Sequence, residues 1–120
     1  MKSFLITILL CFSAFIGISQ FTDNFSDGNF TSSPTWSGNT TDFTVTANEL
    51  QLNAPSVSSN KFLSNNSQAI NNATWEFKVR MGFSPSSSNY SRVYLVSNSA
   101  NLSGPLNGYF IKIGGTDDEV

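Results

Sequence analysis

Apolar and polar residues alternate along several short stretches of this chain, and that alternation predicts strands. It is clearest over residues 73–81. There Trp75, Phe77, Val79 and Met81 fall on one side, and Thr74, Glu76, Lys78 and Arg80 on the other. At 3.6 residues per turn the same apolar residues would spiral around a whole helix, so the two-residue period decides for a strand with a buried face. Residues 91–97 follow the same rule, with Val93 and Leu95 opposite Arg92, Tyr94 and Val96. Since Tyr94 and Val96 are not polar, their face is predicted to be partly covered or to line a groove. Tyr109, Ile111 and Ile113 mark a further strand over 109–113.

Shorter strands are predicted at 43–46 and 49–53, separated by Ala47-Asn48, with Leu50 and Leu52 on one face. A weaker strand signal covers 61–64. The connections carry turn residues: Asp27-Gly28-Asn29 within the cluster Phe21, Phe25 and Phe30, a Pro34/Gly38 segment around Trp36, Pro55 with its serines, Pro85 with Ser86 to Asn89, and a long loop containing Gly104-Pro105. Short strands about 10–16 residues apart, without repeats or heptads, predict an all-β domain: a β-sandwich, most simply a jelly roll. Gly114 to Asp118 reads as a hairpin turn, and Glu119-Val120 as the start of the next strand. That next strand would pair with 109–113, so the sandwich is expected to be incomplete at its C-terminus, as in a fragment or truncated reading frame.

One stretch departs from alternation. Lys2 precedes an almost unbroken apolar run over residues 4–18, and Gly17 and Ser19 occupy the −3 and −1 positions of a small-residue cleavage site. The run is too short and too lightly flanked for a permanent span. Residues 1–19 are therefore expected to be a signal peptide cut between Ser19 and Gln20, with residues 20–120 the exported domain. Cys11, the sole cysteine, lies inside the run, and Leu10 before it disfavours lipid attachment. No disulfide can then form after residue 19, so burial and backbone pairing must hold the fold.

Beyond residue 19 stand five basic residues (Lys61, Lys78, Arg80, Arg92 and Lys112) and eight acidic ones, a net charge of −3. A mildly acidic domain without a basic stripe is a poor nucleic-acid binder. Ser, Thr and Asn supply 40 of these 101 residues, but eight Phe, two Trp and three Tyr are spread among them. Aromatic content of that order argues against disorder and for strands between solvated loops.

Five segments recur together in a known group: 23–30, 34–38, the Trp75-Glu76-Phe77 strand, 91–97 and 104–110. With them the chain resembles the amino-terminal region of exported Bacteroidetes proteins that carry lamin-tail and immunoglobulin-like domains downstream. The resemblance covers essentially all of residues 20–120, and its last two segments are the most specific. It implies a concanavalin A-like, laminin-G-like jelly roll followed by further domains of the same protein, and it supplies no catalytic residues.

The residues give no enzyme chemistry either. Concanavalin A-like glucanases need paired carboxylates about 5–5.5 Å apart on one strand, whereas Glu76 stands alone beside Lys78 and Arg80. Glu76 is expected to pair with a basic neighbour across strands. No histidine exists for a Ser-His-Asp site, and no thiol after Cys11 for a nucleophile or zinc ligand. No cofactor is implied, although calcium, which takes oxygen ligands, stays open. Residues 23–28 imitate the start of an EF-hand loop, but Phe25 and Pro34 occupy ligand positions. Asp117-Asp118-Glu119 is a second oxygen-rich cluster, equally readable as a solvated turn. Asn-x-Ser/Thr sequons such as Asn72-Ala73-Thr74 follow from composition. Tyr94, Tyr90, Trp36 and Tyr109 remain as candidate ligand-binding residues, either stacking on sugar faces or packing in the core. The expected function is a non-catalytic secreted or cell-surface module for adhesion to a polysaccharide or cell-surface glycan; the alternative is a structural spacer for downstream domains.

Overall fold

The computed structural model describes residues 22–67 and 69–115. Among them the chain is built from strands, with a single 3-10 turn at Thr40–Asp42 as its helical content. Six strands form three antiparallel two-stranded ribbons: β1 (Ser37–Gly38) with β4 (Leu63–Ser64), β2 (Phe43–Thr46) with β3 (Glu49–Leu52), and β5 (Ser91–Ser97) with β6 (Gly108–Ile113). The all-β expectation holds at this level. The predicted leader with its Ser19/Gln20 junction, Phe21 and the acidic cluster 117–119 lie outside the described residues.

The β2–β3 ribbon closes at Ala47-Asn48, where its sequence predicts the break. Ala47 and Asn48 both adopt positive φ, at 52° and 61°. Two such residues make the primed two-residue turn whose twist matches a right-handed hairpin. Register then sets Val45 opposite Leu50 and Phe43 opposite Leu52. The Asn53 amide donates to the Asp42 carbonyl at 2.8 Å, and the Lys61 ammonium meets the Asp42 carboxylate at 2.8 Å. Of the weak strand at 61–64, only Leu63–Ser64 joins a ladder. The β1–β4 pair is steadied by Asn39, which donates its amide to Phe62 O and accepts Phe62 N–H on its side chain.

The β5–β6 ribbon is the longest. Val93 opposes Ile111, Tyr94 opposes Phe110 and Arg92 opposes Lys112, with a register shift between Tyr94 and Val96. An extra residue on one strand makes two neighbours oppose one partner. Val96 therefore faces Tyr109, on the Val93/Ile111 side, rather than sharing Tyr94's face as strict alternation predicted. The loop 98–107 is tied at its base, where Asn98 N–H donates to Asn107 O at 2.9 Å and Asn107 N–H to the Asn98 side chain at 2.8 Å.

The strongest strand prediction is corrected here. Residues 73–81 enter no ladder and make no backbone hydrogen bond among the described residues. Their apolar face is open: Trp75 is 43% exposed, Phe77 39% and Val79 41%. Trp75 is thus not a core residue in this structure. The reason is physical. A pleated segment keeps its shape only if a neighbour takes its N–H and C=O groups, and none of the six described strands pairs with these residues. Glu76 also forms no ion pair among the described residues; Arg80 reaches Glu49 of β3 instead. Phe30 is the sole buried hydrophobic residue among those described, so backbone pairing dominates over core packing throughout.

Candidate functional site

The four aromatic candidates separate into different surroundings. Trp36 belongs to the loop formed by residues 22–36. Side chains of Asp23, Asn24, Asp27 and Asn29 each accept an amide N–H two residues ahead, at 2.9–3.1 Å. These Asx turns substitute for a ladder. The Trp36 indole N–H donates to Asp23 at 2.8 Å, its amide donates to Phe30 O at 2.8 Å, and its ring lies 6.4 Å from Phe25. Trp36 is half-buried and fixes the loop around Phe30.

Tyr90 and Tyr94 meet on one face of β5–β6. The Tyr94 and Phe110 rings are directly opposed across the ladder, 5.1 Å between centroids and tilted by 46°. Such a tilted pair lets ring edges meet ring faces. Tyr90 precedes β5 and is set against the ribbon's far end by Gly114. At φ +94° Gly114 takes a conformation closed to most side chains, and a Cβ there would strike Pro85 and come within 3.6 Å of Tyr90 Cβ. The Ser86–Asn89 turn, held by reciprocal backbone bonds of 2.9 and 3.1 Å, completes the approach.

Two cations join these rings. The Arg92 guanidinium lies 5.0 Å from both the Tyr90 and Phe110 centroids, and the Lys112 ammonium lies 4.4 Å from that of Tyr90. Arg92 also donates to the Tyr90 hydroxyl at 3.0 Å. Phe110, Arg92 and Lys112 are exposed, while Tyr90 and Tyr94 are half-buried. Rings and cations thus form one continuous solvent-facing surface. Neither a family model, nor a curated protein, nor a solved structure matches this chain.

Tyr109 lies on the other face, opposite Val96, and is 76% exposed. Sequence alone missed Phe110, Arg92 and Lys112 as members of the site. Alternation placed Phe110 and Lys112 across from Tyr109, but which strand opposed them needed the register. The face offers stacking surfaces and positive charge, with no carboxylate among its described residues. Among the described residues no cluster of three or more acidic or cysteine side chains is placed to hold a metal ion, and no helix is long and apolar enough to cross a membrane.

Proposed function

We propose that this chain is a non-catalytic module of an exported bacterial surface protein, and that it binds glycans through the Tyr90/Tyr94/Phe110 face of β5–β6. The carrying observation is that face itself: the Tyr94–Phe110 pair at 5.1 Å extended by Tyr90, facing solvent. Aromatic rings attract the C–H surfaces of pyranose rings, as they do other apolar partners. The leader-like residues 1–19 support export, and the resemblance to exported Bacteroidetes proteins supports a jelly roll as the complete fold. Glu76 as a lone strand carboxylate, with no histidine and no cysteine after Cys11, supports a binding rather than a catalytic role.

A glycan array with the full chain tests this reading. Binding to at least one polysaccharide is expected, weakened several-fold in Tyr94→Ala, the loss of one stacking contact of about 1 kcal/mol. A chelator arm separates a calcium requirement from stacking. Absence of binding to every polysaccharide would contradict the reading. A second reading, a spacer that docks against further domains, is favoured by the open Trp75–Phe77–Val79 face. Large exposed apolar patches mark surfaces that another element covers.

A further inference from the structure

Arg92 and Lys112 face each other directly across the β5–β6 ladder. Like charges in that position repel, and natural ladders usually avoid them. Here nothing described neutralises them. The two ion pairs among the described residues are Lys61–Asp42 and Arg80–Glu49, and neither reaches this ribbon. The Tyr90 ring lies within 5.0 Å of the Arg92 guanidinium and 4.4 Å of the Lys112 ammonium, so its negative face offsets part of the repulsion. The ring also fixes both cations beside a stacking surface. An anion arriving between them would gain two charge-assisted contacts and remove the remaining repulsion.

From this pairing we infer that the β5–β6 face selects acidic polysaccharides, with a uronate carboxylate held by Arg92 and Lys112 while its pyranose ring stacks on Tyr94 and Phe110. The inference rests on the glycan-binding reading above and narrows its ligand class. A guanidinium offers a two-pronged donor that fits a carboxylate, and an ammonium adds a second point charge. A domain of net negative charge gains nothing from nonspecific attraction to such a chain, so selectivity comes from this local pair.

The test compares polygalacturonate with its fully methyl-esterified form, a neutral β-glucan and polyglutamate, using the full chain. The expected order is polygalacturonate far above the other three, falling as salt is raised. Arg92→Gln and Lys112→Gln should each weaken polygalacturonate binding about ten- to a hundredfold, by the scale of a charged hydrogen bond. Lys78→Gln, away from this ribbon, should leave it unchanged. Without ligand, Lys112→Gln should melt at the same temperature as the parent or slightly higher, since it removes repulsion; this also shows that the variant is folded. Equal binding of the esterified and acidic chains, with Tyr94→Ala still damaging, would overturn the acidic selectivity and leave the glycan reading standing. Binding of polyglutamate as tight as polygalacturonate would reduce the face to ion exchange and overturn the inference. Binding of no polysaccharide would overturn both.

Discussion

Residues 73–81 and β5 carry almost the same pattern, yet only β5 is a strand. Both carry an apolar face with aromatic and β-branched side chains, although in β5 Tyr94 and Val96 interrupt the alternation. β5 meets β6 over a ladder from Ser91↔Ile113 to Ser97↔Gly108. Residues 73–81 join no ladder among the described residues, and Trp75, Phe77 and Val79 stay open to water. Alternation therefore specifies which side of a segment is apolar, and leaves the partner unspecified. Backbone groups decide the rest, because an extended segment without a neighbour returns its N–H and C=O to solvent. An isolated hairpin is itself marginal, and the register, bulge and ring pairs of β5–β6 add what the other segment lacks.

Two glycines break this comparison most sharply. A Cβ on Gly108 would collide with the Val96 carbonyl and stand 3.1 Å from Ser97 Cα, both backbone atoms that cannot yield. Gly108→Ala is expected to lose about 1–3 kcal/mol, the scale of overpacking, and to loosen the end of the ribbon. Gly82, just after the unpaired segment, has nothing within 4 Å of the place a Cβ would take. Gly82→Ala should be neutral, or stabilising by up to about 1 kcal/mol through a stiffer unfolded chain. Thermal melts of the two variants check the contrast; equal losses would erase it.

Next in size is the ring pair. Tyr94→Ala should cost about 0.5–1.5 kcal/mol beyond its lost area, as cross-strand aromatic pairs do. Phe77→Ser, by contrast, should fall within about 0.5 kcal/mol, as substitutions at open positions do. A Phe77→Ser loss as large as that of Tyr94→Ala would mean that the 75–79 face is covered in solution. The smallest effect belongs to the ion pair that ties residues 73–81 to β3. Arg80 and Glu49 form an ion pair with side chains 77% and 53% exposed. A double-mutant cycle should return less than about 1 kcal/mol of coupling, as solvated pairs do; a larger value would mean that 73–81 is anchored to β3.

The turns were legible in sequence because their signal is local. Ala47-Asn48 announced the β2–β3 turn, and the asparagines at both ends of 98–107 closed that loop as turn residues do. Pairing across distance was not. The bulge that turns Val96 toward Tyr109, and the register that sets Arg92 against Lys112, depend on which strands meet. The candidate site was half visible for the same reason: Tyr94 stood out as an aromatic on a mixed face and Tyr90 as a nearby aromatic, while Phe110 and its cations needed the opposing strand. Trp36, read as a candidate for either stacking or packing, is held by Asp23, a contact 13 residues apart that no period encodes.

Paired backbone, and not apolar alternation, separates β5–β6 from residues 73–81. Amide hydrogen exchange on the full chain tests this most directly, since protection reports local opening. Amides that bond within the ladder of β5 and β6 should exchange markedly more slowly than those of residues 74–80, which should exchange near the rate of an open chain. Equal protection in both segments would contradict the account.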